Sequence, residues 1–509
     1  MSMLSEKELV CKVLDSAKGW AALSALVEFL HQAGETNKRL DQVERGMLGP
    51  LLELGRKLLQ SYVESAGDGD VGQDIEHPEH GTLRRSAQPS TRKYQSIFGE
   101  FEITRWVYQK REGQKALHIP LDQSLGLPEQ KQSYVLEDWL GRFVVKMPYE
   151  RAVETLHELM GIRTSVRSAE RISRELAEHA GTLEKELPQP ASDAEGGVLV
   201  VTVDGKGVPM RRGLNQRKHE ELGTKIYQRQ STVGYAKTSK RRTAGANKSC
   251  KQMAYVAAVY SIAPFVRSTE DVLDELAREA QSANRPRPQN KKFYAEMTKI
   301  VEDQVDEGPE RLFSKLSRDI AVRNPQGNPR TVVCLMDGQR SFWFRQMEYL
   351  SFAIAILDIF HVIEYLWAVA YCHHPQGSLE AEKYVDKYLR RILDGKVDSV
   401  IRSLSSQLPK LKGGHVKEMS KTIHYFQKNR THMKYDEYLK QGYPIGSGVV
   451  EGACRHVVKD RMELAGMRWE IEGAQSILSL RTTYLNQNWD DLIEHRIQKE
   501  QKDLYSLSA

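Results

Sequence analysis

The spacing of hydrophobic positions changes character several times along the chain. From Glu6 to about Glu64, Leu23, Leu26, Val27 and Leu30, then Leu48, Leu51, Leu52, Leu54, Leu58 and Leu59, recur at helical spacing, which predicts two or three helices in an N-terminal region over 1–65. The following ESAGDGDVGQDIEHPEHG is rich in glycine and acid and has no period, so 66–92 is expected to be a linker. Alternation in KYQSIFGEFEITRWVYQ, turning at Phe98-Gly99-Glu100, predicts a small β-hairpin region over 93–125. Helical spacing returns over 126–190: a helix, a break at Pro148, a helix ending near Gly161, and a helix beginning after Ser165 or Ser168. A helix-turn-helix needs this order, with Arg167, Arg171 and Arg174 exposed on its second helix; a plain αα-hairpin has the same pattern.

Beyond LPQPASDAEGG the pattern becomes that of an α/β protein. VLVVTVD, KQMAYVAAVYSI, TVVCLMD and FAIAILDIFH read as strands with helical stretches between them, the signature of a mixed sheet covered by helices. The roughly hundred residues before Gly446 then read almost wholly as helix, and no internal repeat is evident.

Composition narrows this picture modestly. A chain of 509 residues exceeds what one core serves, so several domains are expected. A formal net charge of +6 permits nucleic acid as a partner without demanding it. Cys11, Cys250, Cys334, Cys372 and Cys454 lack CxxC spacing, which signals neither a disulfide framework nor a zinc finger and fits a reducing cytosol. The start MSMLSEKELVCKVLDSAKGW lacks a basic region followed by a long apolar core, and no later run is apolar enough to span a bilayer, so a soluble cytoplasmic protein without membrane partners is expected.

The candidate chemistry lies in carboxylates. The β-branched run of VLVVTVDGKG places Asp204 at a strand end, with the Gly205 to Gly207 turn opening space beside it. TVVCLMDGQRSFW repeats that grammar at Asp337. Either alone is a common turn pair; two in one domain are harder to dismiss. In GYPIGSGVVEGACRHVVKDRM, Ser447 is placed to cap a helix whose first turns carry Glu451, with Arg455 and Lys459 following at four-residue spacing. The GSG approach implies that something comes close to this backbone. Three carboxylates from two strand ends and a helix suit two Mg²⁺ ions, with Mn²⁺ substituting, arranged for in-line phosphodiester displacement.

At this point the chain resembles a bacterial insertion-sequence transposase of the DDE type, in the mutator-like superfamily and most closely its ISKra-type group. The resemblance rests on TVDGKGVPMRR, VCLMDGQRSFW, ILDIFHVIEYLW, GYPIGSGVVEGACRHVVKDRM and GMRW, with YQSIFGEFEITRWVY and PLDQSLGLPE upstream, and covers about Lys93 to Trp489. It implies an α/β fold with an RNase H-like mixed-sheet catalytic core, an all-α insertion domain and a mainly helical N-terminal DNA-binding region. The core would occupy 196–361, with a basic insertion at 205–251, and resume over 441–509; the helical insertion would occupy 362–440. Asp204, Asp337 and Glu451 match the catalytic, metal-binding triad, and Asp358 and His361 match an acid and histidine that accompany it. The implied activity is binding of the element's terminal inverted repeats, cleavage of DNA ends, and joining of the freed 3′-hydroxyl to target DNA. Two metal ions per active site, double-stranded DNA of ends and target, at least a homodimer on DNA, and a nucleoid-associated location follow from the same resemblance.

Without the resemblance, His361 at a strand-to-helix junction reads more readily as a structural hydrogen-bonder. Cys372, His373 and His374 are adjacent, so they read as a helix end rather than a metal site, and Trp367 as a core residue. The stretch from Lys206 to Lys251 carries thirteen Lys or Arg against two Glu and suits a DNA track. Lys206, Arg211, Arg212, Lys240, Arg241 and Arg242 in and around it are expected to contact DNA, joined by Arg340, Arg455, Lys459, Arg461 and Arg468. Two other readings use the same residues: a structure-selective nuclease without strand transfer, and a catalytically silent, transposase-derived DNA-binding protein.

Overall fold

The computed structural model describes residues 17–188, 190, 194–211, 250–277, 285–302, 304–325, 329–464 and 466–505. The chain divides into two compact units, one of 1–183 with 489–509 and the other of 184–488.

In the first unit, helices Ala17–Glu35 and Leu40–Ser65 fulfil the helical spacing of the N-terminal region. The expected linker is instead partly β-structure. Strands Asp74–His77, Gly81–Arg85 and Tyr108–Gln109 form an antiparallel sheet. Its glycines and acids serve local bonds rather than mobility: Trp106 Nε1 donates to Asp68 Oδ2 at 3.0 Å, Arg85 pairs with Asp70, and the Tyr108 hydroxyl donates to the Gly72 carbonyl at 2.8 Å. The hairpin Ser90–Ser96 with Gly99–Arg105 turns where the alternation requires, with Gly99 at φ 122°. Helices Tyr134–Val144, Tyr149–Met160 and Val166–Glu186 follow, the second closed by left-handed Gly161 and the third opened by Ser165, whose hydroxyl accepts from Ser168 N at 3.0 Å. The helix Trp489–Tyr505, expected with the core, belongs to this unit, where Arg496 pairs with buried Glu137 at 2.8 Å.

The second unit is built on a five-stranded mixed sheet: β1 (Val198–Met210), β2 (Cys250–Ile262), β3 (Gln289–Met297), β4 (Thr331–Met336) and β5 (Ile354–Leu357). The spatial order is β5-β4-β1-β2-β3; β4 runs parallel to both β5 and β1, and β2 runs antiparallel to β1 and β3. Strand β3, QNKKFYAEM, escapes the sequence reading because lysines occupy its first half and only its second half is buried. FAIAILDIFH is a strand only to Leu357; Asp358 then opens a helix.

Helices in chain order are α1 (Thr269–Ala277), α2 (Gly308–Arg323), α3 (Arg340–Tyr349), α4 (Ile359–Ala370), α5 (Leu379–Leu393), α6 (Val397–Gln407), α7 (Gly414–Asn429), α8 (Tyr435–Lys440), α9 (Gly448–Ala453) and α10 (Ile471–Leu485). Because side chains alternate across a strand, the sheet has two apolar faces. Leu199, Val201, Val203, Cys334 and Met336 pack against Leu312, Phe313 and Phe342 of α2 and α3. Val198, Val200, Val333, Leu335 and Ile356 pack in one continuous core with α4 to α8. The helical stretch expected as an insertion is thus fused to the sheet it follows.

Candidate active site

Period 2 along the strands decides where the acids point. Asp204, Asp337 and Asp358 continue the series Val198-Val200, Val333-Leu335 and Ile356, so all three belong to the sheet face covered by α4 to α8. Met336 is in register with Val203 on one side and Leu357 on the other. One residue further on, the three aspartates therefore stand at one level across three neighbouring parallel strands, whose spacing is about 4.8 Å.

Asp204 does not end its strand. The β1 chain continues through Gly205 and Gly207, paired with Tyr255 and Met253 of β2, to Met210. The expected turn is absent because β2 extends alongside; the parallel partner β4 stops at Met336, and this opens the edge beside Asp204. Gly205 serves packing, since a Cβ there would meet the Met253 methyl at 2.8 Å. Asp204 Oδ1 accepts from Gly205 N at 2.6 Å.

Asp337 is half-buried, and its Oδ1 accepts from Gln339 N at 2.9 Å. Burial holds its carboxyl above the usual carboxylate range, repulsion from Asp204 and Asp358 adds to this, and the Gln339 N–H and His361 oppose it. The backbone here is clamped by α7: the Tyr425 hydroxyl donates to the Asp337 carbonyl at 2.7 Å. Gly338, at φ 83°, leaves room for that clamp, because a Cβ would lie 3.0 Å from both the Tyr425 hydroxyl and Asn429 Nδ2.

Asp358 is buried and fully engaged by the chain itself. Its Oδ1 caps α4 by accepting from Phe360 N at 3.1 Å and also accepts from Ser447 N at 3.2 Å, while Oδ2 accepts from the Ser447 hydroxyl. Ser447 accordingly does not cap α9 with its side chain, contrary to the expectation from sequence. The close approach implied by GSG is made by the chain's own α4, since a Cβ on Gly446 would meet the Phe360 ring at 2.9 Å.

This strap sets Glu451 on α9, which packs against β1 and β2. Glu451 is solvent-exposed as a residue, yet partial desolvation of its carboxyl, with repulsion from Asp358 and Asp204, raises its pKa, and His361 opposes the rise. After Ala453 the helix widens into a π-helical turn, Cys454–Lys459. The four-residue face expected for Glu451, Arg455 and Lys459 is therefore broken, and Arg455 lies 3.6 Å from Asp460. Buried Cys454, three residues after Glu451, has its thiol pKa raised by burial and by neighbouring Asp204. Half-buried His361 has Nδ1 3.3 Å from Glu364. Sequence reasoning gives neither Cys454 nor Tyr425 a role at the site; spacing along the helix could have flagged Cys454, whereas nothing local marks Tyr425.

Asp204 and Asp337 are hard oxygen donors side by side, suited to an ion that retains several waters, as Mg²⁺ does. Among the described residues no three His, Cys, Asp or Glu side chains lie close enough to hold one metal ion, so in this arrangement Glu451 stands at the rim rather than in a closed three-ligand set.

The expected DNA contacts divide sharply. Arg211, Arg340, Arg455, Lys459, Arg468, Arg167 and Arg174 are exposed and Lys206 is half-buried. Arg212, Lys240, Arg241 and Arg242 lie outside the described residues. Arg171 is committed within its unit, bonding Glu175 at 2.7 Å and Gln132 at 3.0 Å. Arg461 is a correction: it is fully buried, with its guanidinium 4.9 Å from the Trp469 ring centroid, so the face it occupies is turned away from solvent. Cys372, His373 and His374 lie in the turn that closes α4, their N–H groups donating to the Val369 and Ala370 carbonyls, and Trp367 packs against the core. Among the described residues no helix is long and apolar enough to cross a membrane.

No family model matches the chain, and no curated protein matches it. Among solved structures, the chain is similar to one titled Drosophila P element transposase strand transfer complex, at 10% identity and a TM-score of 0.23, over 70% of this chain and 80% of that one. A likeness at that level carries no weight for fold or activity.

Proposed function

We propose that this chain is a metal-dependent DNA transposase of the DDE type, with an RNase H-like core formed by the five-stranded sheet. The observation that supports it is the placement of Asp204 and Asp337 at one level on neighbouring parallel strands, with Glu451 at their rim on the helix that the Asp358–Ser447 strap holds. The order β5-β4-β1-β2-β3 with a single antiparallel strand is also the arrangement expected of an RNase H-like sheet.

In this reading Asp204 and Asp337 hold Mg²⁺, or Mn²⁺ in its place, with Glu451 completing the site. Two such ions would supply activation of the attacking oxygen and stabilisation of the leaving one. Glu451, whose carboxyl is raised above the usual range by partial burial and by Asp358 and Asp204, would accept the proton of the attacking water or 3′-hydroxyl. His361 presents a donor beside the same carboxylates for a phosphate oxygen. Asp358 is a positioning residue that acts through Ser447 and α4. The helices and hairpin of the first unit supply recognition of the inverted repeats through Arg167 and Arg174, and two ends held together require at least a dimer on DNA.

The test is an assay with Mg²⁺ or Mn²⁺ on a labelled duplex carrying the native element's ends, with a plasmid target, for wild type beside Asp337→Ala. Joined product from wild type alone supports transposition. Cleavage without joining would replace it by a nuclease, and binding without either product by a silent DNA-binding relative.

A further inference from the structure

The helical segment over the carboxylate face carries a charge imbalance that the proposed roles leave unused. From Lys410 to Lys434 there are seven Lys or Arg and a single acid, Glu418. Within it, Lys417, Lys421, His424 and Lys428 fall at spacings of four, three and four on α7, one face of a helix. All four are exposed, opposite the buried face formed by Met419, Ile423 and Phe426. Arg430 and Lys434 have acidic neighbours in Asp398 and Glu437, whereas Lys417, Lys421 and Lys428 have none within 4 Å among the described residues.

The stripe is also tied to the carboxylate site. Tyr425, which holds the Asp337 carbonyl, stacks on Tyr365 with ring centroids 3.9 Å apart, and Lys421 lies 5.1 Å over the Tyr365 ring. Trp343 Nε1 donates to Asn429 Oδ1 at 2.9 Å, which locks the end of α7 to α3, the helix that begins at Arg340. Lys428 feels both Arg340 and Asp337 electrostatically. A polyanion running along the stripe would thus reach Asp337 without leaving positive potential.

We infer that α7 is a backbone guide for DNA, with Lys417, Lys421 and Lys428 neutralising successive phosphates of the DNA that enters the carboxylate site. From Lys417 to Lys428 the stripe covers eleven helical steps, about 16 Å at the helical rise of about 1.5 Å per residue, enough for several phosphates. The inference rests on the proposed transposase reading and adds a surface to it.

The experiment compares wild type, Lys417→Ala/Lys421→Ala/Lys428→Ala, and a control of equal charge loss away from α7, Lys383→Ala/Lys387→Ala on α5 with Lys396→Ala just before α6. Binding of a fluorescein-labelled duplex bearing one element end is followed by anisotropy across a salt series. Each phosphate contact contributes about 0.9 to the slope of log K against log salt, so the α7 variant should lose roughly 2 to 3 from that slope while the control keeps it. An unchanged slope in the α7 variant, or an equal loss in the control, overturns the guide while leaving the transposase reading intact if wild type still cuts and joins. Absence of any DNA binding by wild type overturns both.

Discussion

Ser447 gives its hydroxyl to the buried carboxylate of Asp358, and its own helix goes without a side-chain cap. Asp358 in turn caps α4, so one carboxylate joins the start of α4 to the loop that carries α9. The local cost at α9 is offset by a charge-assisted bond in a buried setting, which fixes where Glu451 stands relative to Asp204 and Asp337.

Ser447→Ala removes that bond from a buried carboxylate and is expected to cost about 1.5–3 kcal/mol. Asp358→Ala also removes the α4 cap and should cost more, by about another 1 kcal/mol. Asp358→Asn, which retains a cap, should be milder than Asp358→Ala. Urea unfolding of the singles and the Ser447→Ala/Asp358→Ala double measures this; additive effects would show that the two residues do not act together. On the proposed transposase reading, strand transfer should fall in both singles without a change in DNA affinity.

Asp337 sets a pH dependence. Its folded pKa is raised by burial and by Asp204, so the native chain binds that proton more tightly than the unfolded chain. Stability from this group is then full below the unfolded carboxylate value of about 3.9 and declines as pH rises through the folded value. Glu451 adds a contribution of the same sign. Asp337→Asn should therefore be more stable than wild type at pH 7.5, and the gap should shrink at pH 4. Urea midpoints of both proteins at the two pH values decide it; a gap that widens toward acid would contradict the assigned sign.

Much of this was legible because strand alternation and Asp-Gly pairs are short-range signals. The runs ending at Asp204, Asp337 and Asp358 announce themselves, as do the three helices around Pro148 and Gly161. What escaped depends on partners distant in sequence. Nothing near Gly205 reveals that β2 would carry β1 onward to Met210, and the lysines of β3 mask a strand half-buried against it. Ser447 has the grammar of a cap, but Asp358, 89 residues earlier, competes for its hydroxyl. Gly338 reads as a turn glycine, and only the fold shows that Tyr425 and Asn429 occupy the space a Cβ would need.

Divalent cations should stabilise the chain through the same carboxylates. An ion that binds the folded form at a hundredfold above its Kd contributes about 2.7 kcal/mol. Mg²⁺ or Mn²⁺ should raise the Tm of wild type by several degrees, and Asp204→Asn or Asp337→Asn should lose most of that rise. Differential scanning fluorimetry across a metal titration, with Ca²⁺ alongside, provides the comparison without any catalytic readout. An equal rise in wild type and both variants would place the ion elsewhere.

Arg461 and Arg468 separate burial from binding within one short segment. Both fall in the basic stretch after Glu451, but Arg461 is enclosed against Trp469 and Met467 while Arg468 faces solvent. Arg461→Ala removes packing and a cation held over an indole ring, so it should destabilise by roughly 1–3 kcal/mol. The salt slope of DNA binding should be unchanged at temperatures where the variant is folded. Arg468→Ala should do the reverse, leaving the urea midpoint alone and reducing the slope by about 0.9 if it touches one phosphate. The Trp469 ring that Arg461 covers is itself anchored, its indole donating to the Met462 carbonyl at 3.2 Å and its backbone N to the Pro209 carbonyl of β1 at 3.0 Å. Arg461→Lys should therefore recover only part of the lost stability, because a lysine keeps the charge but not the planar guanidinium that reaches both the Trp469 ring and Met467 Sδ.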